Sequence, residues 1–229
     1  MSSSTVGRTI ISAADHEYFR TLCQLLLSAE RRGAARSCEW VVFDLGLTRG
    51  DRERLRDRFH WCQLQPFPFD RHPPHVRTLP FCAWKPIAID EILQAREGLI
   101  LWLDSATVLS GPVDAMFACI ARDGVLTLAG QSPISRWCHE GTLRFMQVPA
   151  DDAQKRCRSA GVLGFDGGRP FARALVAEWR RFALIPDCID PPGASRANHR
   201  YDQAILSNLL YAFQREHDLT LGAEEIDIS

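Results

Sequence analysis

Apolar residues fall into short unbroken runs separated by segments with helical spacing, the alternation of an α/β fold. Arg8 to Ala14 is a short apolar run. Asp15 follows where an N-cap would stand, before Phe19, Leu22, Cys23, Leu26 and Ala29 at helical steps, which predicts strand, turn and helix. Glu39 to Leu45 reads as a second buried strand, Arg49 to Arg58 as a solvated helix and Phe59 to Leu64 as a third strand. Strand, helix and strand in that rhythm predict parallel pairing. Five prolines between Gln65 and Pro80 preclude long regular structure and predict a structured loop over a site. Trp84-Lys85-Pro86 opens a helix, with Ala88, Ile92 and Ala95 after it.

The run Leu99 to Leu103 has no polar interruption and stops at Asp104, as a strand buried on both faces does. A carboxylate is thereby expected at the carboxyl end of a central strand, the edge where open α/β sheets bind ligands. The alternative is that Asp104 only caps the next turn. Beyond it, the spacing predicts a helix over 112–121, a strand over 124–129, a polar turn at 131–135 and a short helix over 139–146. A strand over 158–165, a helix over 170–182, a loop over 187–198 and a last helix over 199–213 follow.

A chain of 229 residues that is 46% hydrophobic can bury a full-sized core, and one domain over residues 1–229 is expected, with 1–7 disordered. A formal net charge of -1 gives no electrostatic reason to expect a nucleic acid. No apolar run reaches a membrane-spanning length and the N-terminus lacks a basic-then-apolar leader, so no transmembrane segment is expected. The eight cysteines have no metal-type spacing and several lie in apolar segments, which suits a reducing, cytoplasmic setting. Of the 27 basic residues only Lys85 and Lys155 are lysines, which leaves 25 arginines. Lys85 opens a helix, where a cation opposes the macrodipole unless an anion such as phosphate lies between them. The other reading is an exposed Lys pointing into water.

The order of motifs resembles the GT-A fold of nucleotide-sugar glycosyltransferases, most of all the family-eight, glycogenin-like enzymes. It runs Thr9 to Tyr18, the Lys85 helix, Leu101-Trp-Leu-Asp104-Ser-Ala106, Ser159-Ala-Gly161-Val-Leu163 and Tyr201-Asp202-Gln203. Val41 to Leu47, Ala83 to Pro86 and Leu101 to Ser105 are also similar to an uncharacterised set of GT-A-like domains. The resemblance covers residues 8–213 and implies a Rossmann-like α/β domain with a mostly parallel, mixed central sheet flanked by helices.

The resemblance further implies a sugar transferred from a UDP- or GDP-linked donor to an acceptor that is a glycan, a protein or a small molecule. Such a site must offset the charge that grows on a departing diphosphate. Ala13, Asp15, Tyr18, Lys85, Asp104, Ser105 and Gly161 correspond to donor-binding positions, with Lys85 meeting phosphate oxygens. Gly161, lacking a side chain, would let the sugar approach the backbone. Asp202 and Gln203 correspond to the catalytic pair. Asp104 would hold a divalent cation, Mn or Mg. Here the chain departs from the family: Asp-x-Asp is reduced to Asp104-Ser105-Ala106, which removes one metal carboxylate.

Two other readings stand beside this one. Ala106 suits a nucleotide-sugar-binding protein of weak or absent catalysis. Asp104 with Thr107 also resembles the nucleophile strand of haloacid-dehalogenase-like phosphohydrolases, with Asp151-Asp152 for magnesium, although that strand usually begins its domain. His72, His75 and His139-Glu140 are the remaining polar candidates.

Overall fold

The structure, a computed structural model, describes residues 7–217, 219 and 221. The disorder expected at 1–7 lies, apart from Gly7, outside the described residues. In chain order the elements are β1 (Arg8–Asp15), α1 (Phe19–Arg31), α2 (Ala34–Ser37), β2 (Glu39–Gly46), α3 (Arg49–Arg58) and β3 (Cys62–Pro66). Three 3-10 turns over 69–81 lead to α4 (Trp84–Ala95), β4 (Leu99–Leu103), α5 (Asp114–Asp123), β5 (Val125–Pro133), α6 (Ile134–Trp137), α7 (Glu140–Phe145) and α8 (Ala150–Ala153). The chain continues through β6 (Arg156–Asp166), α9 (Pro170–Ala183), α10 (Pro186–Ile189) and α11 (Tyr201–His217).

The strands form one sheet in the order β3-β2-β1-β4-β6-β5. The first four are parallel, while β6 runs antiparallel to both β4 and β5, so the sheet is mixed as expected. Period-two alternation sends the side chains of each central strand to two cores. Leu99, Leu101 and Leu103 join Ile10, Leu22 and Phe117 on one face, and Ile100 and Trp102 join Ile11, Trp179 and Leu206 on the other. That two-sided burial explains the uninterrupted apolar run of β4.

Several boundaries differ from the expectations. β5 runs on through the segment read as a polar turn, and α6 begins at Ile134. Helix α4 is not amphipathic: Trp84 to Asp90 are all buried, because the helix is sandwiched between the sheet and α9. Asp90 meets Arg180 of α9 at 2.9 Å. Asp15 does not cap α1; the helix starts at Phe19, and Asp15 Oδ1 accepts a hydrogen bond from the Tyr18 backbone N–H (3.1 Å), closing a turn before it.

The sheet order has one consequence for ligands. From β1 the chain moves outward to β2 and β3, then crosses back through α4 to place β4 on the other side of β1. This reversal opens a crevice at the carboxyl ends of β1 and β4, where open α/β sheets take their ligands.

Candidate functional site

Asp15 ends β1 and Asp104 follows β4, so both carboxylates stand at that crevice. Asp44, at the same edge on β2, shows what a merely structural carboxylate looks like there. Its Oδ1 accepts from Gly46 N–H (2.9 Å) and Leu47 N–H (2.7 Å), Arg52 takes Oδ2 (2.5 Å), and the side chain is buried. Asp104 differs. Its side chain is 42% exposed, and its contacts with Trp102 Nε1 (2.7 Å) and Lys85 Nζ (2.9 Å) both fall on Oδ1. Its backbone N–H donates to Gly161 O (2.8 Å), which pins it to β6. Asp104 is thus tied to the neighbouring strand while its carboxylate faces open space.

Lys85 is buried, which corrects the reading of it as an exposed cation. Its ammonium donates to Ala160 O (3.1 Å), lies 2.9 Å from Asp104 Oδ1 and 3.5 Å from Asp202 Oδ2, and sits over the Trp102 ring at 5.5 Å. Burial alone would discharge a lysine, but the two carboxylates overcome it and hold the amine above the usual lysine range. The anion that accounts for a Lys at this helix start is therefore a pair of the protein's own carboxylates.

Asp202, in the first turn of α11, is buried, and its Oδ2 makes no hydrogen bond. Burial pushes its carboxyl up to about 6; the Asp104 charge adds to the shift and Lys85 opposes it. Asp202 therefore carries a proton far more readily than an ordinary aspartate.

Two adjoining cavities share Lys85 and Asp104, and Asp202 borders the smaller of them. The larger, about 680 Å³, is bordered by Ala13, Asp15, Tyr18, Lys85, Asp104 and Ser105. The smaller, about 440 Å³, is bordered by Lys85, Asp104, Gly161, Asp202 and Gln203. All the nominated residues thus surround one composite space, with Lys85 and Asp104 on the wall common to both halves. Gly161 leaves room: a Cβ there would have no neighbour nearer than Asp104 Oδ2 at 3.4 Å.

Other candidates lie elsewhere. His75 Nε2 is 3.0 Å from Ala183 O, His139 Nδ1 caps α7 by accepting from Gly141 N–H (3.1 Å), and His72 packs beside Phe67. None of them borders either cavity. Asp152 is taken by Lys155 and Arg215, and neither Asp151 nor Asp152 borders either cavity, which counts against them as the magnesium carboxylates of the phosphohydrolase reading.

The expected divalent cation does not fit the residues present. Hard cations need several oxygen ligands, yet Asp104 already spends Oδ1 on an ammonium and an indole N–H. Ala106 supplies nothing, and among the described residues no three His, Cys, Asp or Glu side chains converge as a ligand set. Asp104 is left as the one carboxylate of the expected motif that could serve such a cation.

Arg196 and Cys82, which no sequence motif marks, each border both cavities. Cys82 holds a left-handed conformation (φ 53°) just before α4, and burial pushes its thiol up to about 12, so it offers no thiolate. Arg196 lay in a segment read only as loop, and among 25 arginines nothing in its residue type marked it.

The mixed sheet, with its reversal between β1 and β4 and its antiparallel β6 beside β4, is the GT-A fold of nucleotide-sugar glycosyltransferases, similar to that of the family-eight enzymes. Neither the protein-family models nor the curated proteins contain a match to the sequence. Among solved structures, the galactosyltransferase LgtC, determined with donor and acceptor sugar analogues, is similar at TM-score 0.56 and 18% identity, over 88% of this chain and 70% of that one. Core-mannan synthase A from Aspergillus fumigatus, in a Mn/GDP form, gives TM-score 0.57 and 9% identity over 91% and 70%. Mouse xyloside xylosyltransferase 1 gives 0.52 and 12% over 93% and 82%.

Proposed function

We propose that this protein is a glycosyltransferase that moves a sugar from a nucleoside diphosphate donor, a UDP- or GDP-sugar, to a glycan, protein or small-molecule acceptor. The reading is carried by one observation: a buried Lys85 at the junction of two cavities, on the ligand-binding edge of a GT-A sheet, holds Asp104 at that junction and Asp202 on the wall of the smaller cavity. The larger cavity suits the nucleotide, with the exposed Tyr18 offering a ring to the base and Asp15 a carboxylate to the ribose. The smaller suits the sugar, because Gly161 leaves room beside Asp104 and because Asp202 and Gln203 offer polar atoms to its hydroxyls.

As the diphosphate leaves, the sugar acquires oxocarbenium character, and fixed carboxylates beside it stabilise that positive charge. Lys85 keeps the two carboxylates from repelling each other and orients them. Asp202 is the group best able to hold or release a proton at the acceptor oxygen. The unpaired thiols of all eight cysteines suit a reducing compartment such as the cytoplasm.

The test is release of UDP or GDP from a panel of sugar donors. Wild type releases nucleotide slowly without an acceptor and faster with one, and Asp202→Asn lowers the rate by roughly a hundredfold or more, the range of a lost acid–base group. Ala106, in place of the second family carboxylate, favours a second reading as a binding protein. Tight donor binding with no release from any member of the panel would decide for it. Release of phosphate from simple phosphomonoesters would instead revive the hydrolase.

A further inference from the structure

Lys85 and Asp104 stand on the wall shared by the two cavities and Asp202 borders the smaller one, so the ionised triad of two carboxylates and one ammonium is net negative where the proposed donor brings a diphosphate. Asp202 Oδ2 is buried there without a hydrogen bond, and no described ligand set accommodates a divalent cation. Some other positive group has to face the phosphates. Three arginines stand near. Arg77 borders the larger cavity but is paired with Asp70 and lies over the Phe69 ring. Arg200 borders the smaller one, yet its guanidinium lies 4.0 Å from the centre of the Trp137 ring and donates to Arg196 O.

Arg196 borders both cavities, is exposed, and makes no ion pair among the described residues. Its loop is well fixed. Ser195 N–H donates to Asn198 Oδ1 (2.8 Å), Asn198 N–H donates back to Ser195 O (3.0 Å), and Asn198 Nδ2 donates to Gly193 O (3.1 Å). The loop runs directly into α11, which carries Asp202. A guanidinium on a hydrogen-bonded loop that borders both cavities can present two parallel N–H donors to a phosphate, a geometry that matches the oxyanion in both shape and charge.

We propose that Arg196 is the cation that receives the donor's diphosphate, replacing the divalent metal, so that this protein binds nucleoside diphosphates without metal. The inference rests on the transferase reading and adds to it the means of charge neutralisation. Arg196 is exposed and makes no ion pair among the described residues, so its replacement leaves the fold intact, which a thermal melt verifies.

The experiment is calorimetric titration with UDP, GDP, ADP, CDP and dTDP, each with its nucleoside as control, in EDTA and in excess manganese. Wild type binds one of the diphosphates with the same affinity in both buffers. Arg196→Gln weakens that binding roughly tenfold or more, as expected for a lost bidentate charge-assisted contact, and leaves the nucleoside unaffected. Arg196→Lys restores only part of the loss, since an ammonium lacks the fork. Affinity that disappears in EDTA overturns the proposal, and so does an Arg196→Gln variant that binds diphosphate as wild type does. If no nucleoside diphosphate binds in either buffer, the transferase reading falls first, and the two failures are thereby told apart.

Discussion

At the scale of single residues the site is an exercise in buried charge. An ammonium with 4% exposure is sustainable only because Asp104 and Asp202 stand within 2.9 and 3.5 Å of it and Ala160 O accepts one of its protons. Removing the cation leaves the buried Asp202 facing Asp104 with nothing between them. Lys85→Met is therefore expected to lower stability by about 3–5 kcal/mol, the usual penalty for breaking a buried pair. The corresponding fall in Tm is on the order of 10 °C. Adding Asp202→Asn to Lys85→Met should recover much of that loss, and a double-mutant cycle of Tm values checks it; additive losses would show that the pair is not coupled.

Protonation of Asp202 supplies a second prediction with a definite sign. Its folded pKa, raised by burial to about 6, exceeds the ordinary value of 3.8, so the folded state takes up a proton more readily than the unfolded one. This contribution is most favourable below about pH 4 and is lost as pH rises through 6. His199 acts oppositely over the same window. Burial pulls it down to about 4, its Nδ1 accepts from His139 N–H and its Nε2 faces Ile189 O, so it must be charged on unfolding and stability is lost as pH falls. These two contributions therefore offset each other. The difference between wild type and Asp202→Asn isolates the carboxylate: the destabilisation of wild type relative to the variant should grow between pH 4 and 6 and then level off, as read by chemical denaturation across pH. A flat difference curve would contradict the elevated pKa.

At the scale of elements, β6 separates structure from chemistry within three residues. A Cβ on Gly164 would come within 2.3 Å of Ile120 on α5 and 2.9 Å of Leu126 Cβ on β5, whereas a Cβ on Gly161 would make only ordinary contacts, the nearest being Asp104 Oδ2 at 3.4 Å. Gly164→Ala should cost about 1–3 kcal/mol through overpacking while the folded protein keeps its ligand affinity. Gly161→Ala should melt near wild type while weakening sugar-donor binding more than binding of the bare nucleotide, because its methyl enters only the smaller cavity. Thermal melts and titrations on the two variants check the contrast, and identical behaviour would dissolve it.

The same strands show what the sequence could disclose. The β4 run was legible because a strand buried on both faces has no polar position to hide it, and Asp104 stood out as the residue that ended the run. β5 was not legible to its end, because past Thr127 the strand is only half-buried and its Gly130, Gln131 and Ser132 read locally as turn. Lys85 was singled out by rarity and helix position, but its burial depends on Ala160 and Asp202, 75 residues away and further, and local spacing carries no trace of those partners. Asp15 illustrates the reverse error: a good N-cap residue type was diverted to a turn by the three residues between it and α1.

At the scale of the molecule, the crevice draws its lining from β1, the 77–82 segment, the start of α4, the end of β4 and the 195–198 loop, segments remote in sequence that meet only in the folded chain. The unfolded chain cannot reproduce that arrangement, so any nucleoside diphosphate that binds here should raise global stability by mass action. At a hundredfold excess over Kd the gain is about 2.7 kcal/mol. For a chain of this length that corresponds to a rise in Tm of roughly 5–10 °C. Native-state hydrogen exchange localises the effect. Amides of β4 and α4, buried beneath the crevice and exposed only by global opening, should slow by the full factor of about one hundred. Amides in the exposed 3-10 turns over 69–77 open locally and should slow less. Protection confined to those turns, with β4 unchanged, would mean that the nucleotide sits on the loop and not between the strands, and the crevice at the reversal of the sheet would lose its claim to be the binding site.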